Sequence, residues 1–94
     1  MNETKHSWTF LSNYSHVLIC LSRDPTLTMR ETAQQVGITE RAVQRIVREL
    51  IESGVLEAKK QGRRNVYHVH LDTALRHPLE SSRTVGDLLK AVEQ

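Results

Sequence analysis

The chain has 94 residues, with 13 Lys/Arg against 11 Asp/Glu and a formal net charge of +2. That length fits one small domain, 1–94, with a modest core of the kind oligomerisation commonly reinforces. That balance alone does not announce a nucleic-acid partner. A lone cysteine, Cys20, excludes an internal disulfide and suits a reducing compartment. No apolar run approaches the ~20 residues of a membrane span, and MNETKHSW lacks the basic-then-apolar layout of a secretory signal. The expected location is the cytoplasm.

Residues 1–7 are polar and are expected to fray. From Trp8 an apolar stripe runs through Phe10, Leu11, Tyr14, Val17, Leu18 and Leu21, and its spacings of three and four predict a first helix. Asp24-Pro25 closes it, because the residue before proline resists helical geometry. Thr26 and Leu27 suit a short strand. Thr28 with Glu31 three residues on forms a capping box that opens a second helix to about Val36, with Gly37 as its stop.

Thr39 caps a third helix. Ala42, Val43, Ile46, Val47, Leu50 and Ile51 form its apolar face, Arg41, Gln44, Arg45 and Arg48 its opposite side, and Gly54 its end. Val55–Lys60 and Asn65–His70 read as two strands around the tip Gln61-Gly62-Arg63-Arg64. Alternation points Leu56 and Ala58 inward from the first strand, and Tyr67, Val69 and Leu71 inward from the second. Asp72–Arg83, with Pro78, is irregular or briefly helical. Thr84-Val85-Gly86-Asp87 starts a last helix over 84–93, whose apolar face is Val85, Leu88, Leu89 and Val92. The fold class is therefore mainly α with a small β-hairpin (α+β).

The charge is unevenly distributed. Residues 39–70 carry seven basic side chains (Arg41, Arg45, Arg48, Lys59, Lys60, Arg63, Arg64) against four acidic (Glu40, Glu49, Glu52, Glu57), while the flanking segments are neutral or acidic. Ala33, Val36, Ile38, Val43, Ile46 and Leu50, with Gly37 between the helices, match the packing positions of a helix-turn-helix over 28–53. ITERAVQRIVRELIESGVL followed by GRRNVYHV resembles the winged-helix domains of small prokaryotic transcriptional regulators of the MarR and ArsR types. WTFLSNYSHVLICLSRDP and RHPLESSRTVGDLL also resemble segments of short winged-helix regulators, so the likeness covers nearly the whole chain. It implies a winged helix-turn-helix: a three-helix core, a two-stranded wing over 55–70 and a short C-terminal helix. MarR-type proteins usually carry longer dimerisation helices outside that core.

The resemblance and the charge pattern together predict a dimeric, sequence-specific DNA-binding regulator, of the repressor kind and associated with the nucleoid. The third helix would enter the major groove of double-stranded DNA. Thr39 and the amides near it would meet a phosphate. Arg41, Gln44 and Arg45 are the candidate base readers, since arginine can contact guanine bidentately and glutamine adenine. Arg48 is a candidate phosphate anchor, and Glu40 either accepts from a cytosine amino group or stabilises the helix start. Lys59, Lys60, Arg63 and Arg64 on the wing would grip flanking phosphates, on the same side of the molecule as the third helix. A homodimer would pair the first and last helices through Trp8, Phe10, Leu11, Tyr14, Val85, Leu88, Leu89 and Val92.

Other chemistries fit less well. His68 and His70 share a strand face, but no cysteine pair accompanies them and no carboxylate sits at ligand spacing in the sequence, so no metal is expected. Cys20 reads as a small buried hydrophobe. The N-terminal aromatics suit packing better than a ligand pocket. A small-molecule effector between the first helix and the tail has no sequence support, no cofactor motif is present, and nothing suggests an enzyme. The rival is a winged helix used as a protein-interaction module. It would expose apolar residues on the third helix rather than Arg41, Gln44, Arg45 and Arg48.

Overall fold

In a computed structural model the described residues are 7–93. They form α1 (Asn13–Arg23), α2 (Met29–Val36), α3 (Glu40–Glu52), strands β1 (Leu56–Gln61) and β2 (Arg64–Val69), and α4 (Val85–Ala91). The expected fraying of residues 1–7 falls, apart from Ser7, outside the described residues.

Three of the four helices begin on a threonine whose hydroxyl accepts a backbone N–H from the first turn. Thr28 Oγ1 accepts from Glu31, and the Glu31 carboxylate accepts from the Thr28 N–H at 2.9 Å, so the capping box is complete. Thr84 and Asp87 repeat the device on α4. Thr39 caps α3 through the Ala42 N–H at 3.0 Å. The turn between α2 and α3 depends on Gly37, whose φ of 87° lies in the left-handed region that side-chained residues avoid. At the end of α3, Gly54 N–H donates to the Ile51 carbonyl and Val55 N–H to that of Leu50, which satisfies two orphan carbonyls in a Schellman ending.

α1, α2 and α3 pack on one another, with β1 against α3 and β2 against α1. The core is Val17, Leu18, Cys20 and Leu21 of α1, Leu27, Ala33, and Val43, Ile46, Val47 and Leu50 of α3, closed by Val55, Leu56, Tyr67, Val69, Val85 and Leu89. Burying each of the larger aliphatic side chains contributes roughly 1.5–3 kcal/mol, so the four on α3 fix that helix's rotation.

The helices and the wing follow the expected order, and several details differ. α1 starts at Asn13 rather than Trp8, because the stripe that meets the core begins only at Val17. Trp8 and Phe10 pack edge-on against each other, ring centroids 4.8 Å apart. Thr26 and Leu27 form no strand, and only the Tyr67 N–H reaches across, to the Pro25 carbonyl.

The hairpin loop is two residues long, not four. Gln61 pairs with Arg64 across Gly62-Arg63, and Gly62, at φ 63°, takes the first position of a type II′ turn. Ala58 and Leu71 do not point inward to any cover. Both are exposed: Ala58 because the hairpin leaves the core beyond Leu56 and Tyr67, and Leu71 because it follows the end of β2, outside the strand pairing. Ile51, at the edge of the α3 face, is likewise exposed.

The segment between β2 and α4 is irregular, without the brief helix the sequence also allowed, but it is pinned. Leu75 N–H bonds the Arg83 carbonyl, Val85 N–H that of Thr73, and Gly86 N–H that of Leu71. The Arg23 guanidinium donates to the Val92 carbonyl at 3.0 Å, tying the end of α1 to the end of α4.

Candidate nucleic-acid interface

The amphipathic split of α3 determines what it can present. With Val43, Ile46, Val47 and Leu50 turned inward, Thr39, Glu40, Arg41, Gln44, Arg45 and Arg48 are all exposed. Thr39, Arg41, Gln44, Arg45 and Arg48 line one shallow, open depression along the helix. The Thr39 oxygen accepts from Ala42, which leaves its hydrogen free to donate to a phosphate. Glu40 sits in the first turn, where its charge suits the positive end of the helix.

Arg45 differs from its neighbours. Its Nη1 donates to the Tyr14 hydroxyl at 3.1 Å and lies 3.7 Å from Glu49 Oε1, while the same Tyr14 hydroxyl donates to Glu49 Oε1. Tyr14, expected at a dimer interface, is thus engaged across the α1–α3 contact. No local pattern announces this contact, because Tyr14 and Arg45 are 31 positions apart. Arg41 and Arg48 make no ion pair among the described residues.

On the wing, Lys59, Lys60, Arg63 and Arg64 are exposed. Lys59 lies 3.9 Å from Glu57 on the same face of β1, which diverts part of its charge. Asp24, in the α1–α2 turn, is held below the usual carboxylate range, first by the Thr26 hydroxyl, then by the Thr26 N–H, with a smaller contribution from Arg64.

His68 and His70 stack edge-on at 5.4 Å on the outer face of the wing. Contrary to the sequence expectation that no carboxylate accompanies them, the hairpin register brings Glu57 opposite His68 and 3.3 Å from His70 Nε2, a neighbour visible only once the strands are aligned. No group of three His, Cys, Asp or Glu among the described residues is arranged to hold a metal ion. Cys20 is buried, and burial pushes its thiol pKa up more than Arg23 draws it down, so the thiolate is disfavoured. No helix among the described residues is long and apolar enough to cross a membrane.

The residues expected at a dimer surface divide into two sets. Val85 and Leu89 are buried in the protomer's own core, since so short a chain needs the apolar face of α4 to close itself. Leu11, Leu88 and Val92 are half-buried, while Trp8 is 65 % and Phe10 92 % exposed. Leu79, in the irregular segment, is 89 % exposed and was not singled out by the sequence because no periodicity marks it.

Residues 15–57 match the family described as winged helix-turn-helix DNA-binding. Among solved structures the chain is similar to the PcaV transcriptional regulator from Streptomyces coelicolor, determined with its natural ligand. That match has 26% identity and a TM-score of 0.54, over 63% of this chain and 44% of the other. It is also similar to ZitR, a zinc-responsive MarR family member from Lactococcus lactis, at 19% identity and TM-score 0.52, over 73% of this chain and 49% of that one. The chain thus spans less than half the length of either regulator. No curated protein sequence matches significantly. The described helices and hairpin have the winged-helix fold of these two regulators, and residues 15–57 carry its helix-turn-helix and the start of its wing.

Proposed function

We propose that the protein is a sequence-specific, DNA-binding transcription regulator that acts as a homodimer and represses by occupying its operator. The observation that carries this reading is the solvent-facing row Thr39, Arg41, Gln44, Arg45 and Arg48 along α3, backed by an opposite face on which Val43, Ile46, Val47 and Leu50 are buried. A rigid helix carrying hydrogen-bond donors at spacings of three and four matches the requirements of major-groove readout. Arg41, Gln44 and Arg45 read base edges. Thr39 and Arg48 hold phosphates, and Lys59, Lys60, Arg63 and Arg64 add phosphate contacts from the wing, on the same side of the duplex. A partner-docking use of the same helix is disfavoured, because its outward side is charged rather than apolar. The dimer is proposed through Trp8 and Phe10, with Leu11, Leu88 and Val92 beside them.

Selection of bound sequences from a random duplex library tests the reading. The expected result is a palindrome with half-sites about one helical turn apart, roughly 34–36 Å. In vitro transcription from a promoter carrying that site should fall as protein is added. No enrichment, together with a salt slope near zero on random duplex, would exclude DNA as the partner.

A further inference from the structure

The Tyr14–Glu49–Arg45 triangle goes beyond packing. An Arg at position i with Glu at i+4 is the less favourable order on a helix, and an exposed pair of this kind holds little by itself. Both partners are about half exposed, at 52% and 46%. What stabilises the arrangement is the third group. The Tyr14 hydroxyl donates to the Glu49 carboxylate and accepts from Arg45, so one O–H fills both roles and closes a three-membered network between α1 and α3. The consequence is directional. Arg45 still borders the depression shared with Thr39, Arg41 and Gln44, but its Nη1 reaches along α3 towards Glu49 and is already occupied by the Tyr14 hydroxyl.

We propose that Tyr14 and Glu49 are specificity-determining positioning residues, which hold the Arg45 guanidinium back from any phosphate or base that offers less than the clamp does. An unrestrained arginine on this face would add a contact to every duplex it met. A restrained one moves only where two acceptors, such as guanine N7 and O6, replace the bonds it gives up. The clamp therefore lowers non-specific affinity more than affinity for the correct site, and so raises the ratio between them. This inference rests on α3 being the DNA-reading helix.

The test uses the full chain and Tyr14→Phe, which keeps the ring and the net charge and removes only the hydroxyl. Binding to random duplex and to the selected operator is measured over a salt series. The expected result is roughly a three- to tenfold gain on random duplex, the change that follows from losing one exposed hydrogen-bonded pair. The salt slope on that duplex should steepen by about one phosphate contact, with a smaller gain on the operator. Glu49→Gln should reproduce the loss of discrimination beyond what Glu52→Gln causes, since both remove one negative charge from α3 but only Glu49 touches Tyr14. Adding Arg45→Ala to Tyr14→Phe should abolish the gain.

If Tyr14→Phe matches the unmodified protein on both duplexes while Arg45→Ala weakens binding, the clamp is only structural and the inference is overturned. Failure of the unmodified protein to bind any duplex at low salt would instead overturn the reading of α3, and this inference with it.

Discussion

α3 and the wing both present cations to solvent, but the sequence builds them differently. α3 is anchored along its length by Val43, Ile46, Val47 and Leu50, so its polar side chains stand at fixed angles on a rigid rod. The hairpin is anchored only at its base, by Leu56, Tyr67 and Val69, and from Ala58 to Asn65 it projects beyond the core with every residue exposed. A rigid row can distinguish positions along a groove, whereas a projecting tip can add attraction but little geometric discrimination. The contrast assigns specificity to one element and affinity to the other.

Removing charge from the wing should give the largest effect. Arg63→Ala with Arg64→Ala is expected to weaken binding to operator and random duplex by similar factors and to flatten the salt slope by about two contacts. A change in base preference in that variant would erase the division of labour, because the wing would then be reading sequence. On α3, Gln44→Ala should cost about 1–3 kcal/mol at one base position and leave random-duplex binding nearly unchanged. Repeating the sequence selection with the variant shows whether a single position relaxes.

A smaller effect separates the wing's shape from its charge. Gly62→Ala keeps every cation and meets no steric obstacle, since nothing lies within 4 Å of an added Cβ, but it forces a side-chained residue to φ 63°. A cost of about 1 kcal/mol in hairpin stability is expected. It should appear as faster amide exchange in β1 and β2, with α3 unaffected. Equal loss of protection in α3 would show that the wing and helix unfold as one unit, contrary to the single-ended anchoring.

What the sequence disclosed and what it hid follow from how local each cause is. Thr28, Thr39, Thr84, Gly37 and Gly54 act within one turn of themselves, so the starts of α2–α4 and the stops of α2 and α3 were readable to within a residue or two. The exposed row on α3 was readable for the same reason, because helix periodicity alone decides it. Strand alternation gives only the two faces of a hairpin, and whether a face has anything to pack against depends on the rest of the fold. That is why Ala58 ends up in solvent, while Leu71 does so because β2 stops at Val69, before the alternation reaches it. The stripe Trp8-Phe10-Leu11 continued the α1 pattern past the point where the core ends. Val85 and Leu89 looked like spare apolar surface until α4 folded back. The Arg45 clamp joins two helices across 31 positions, and no pattern in either helix foretells it.

The smallest expected effect concerns Asp87 of α4, which has no part in the proposed DNA-contacting surface and so serves as a control on the comparison. Asp87 is held below the usual carboxylate range, first by the Thr84 N–H it accepts and then by the Thr84 hydroxyl, with Arg83 and Lys90 adding smaller contributions. Because its pKa is lower folded than unfolded, the carboxylate's stabilisation is fully present above the ordinary aspartate range, about pH 4. It is lost as pH falls through the depressed folded value. Thermal melts from pH 6 down to pH 3 should therefore show a smaller decline for Asp87→Asn than for the unmodified protein, because the variant has already lost the charged cap. DNA affinity at neutral pH should be the same for both. If Asp87→Asn instead altered base preference, the boundary between the reading surface and the closing helix would have to move to include α4.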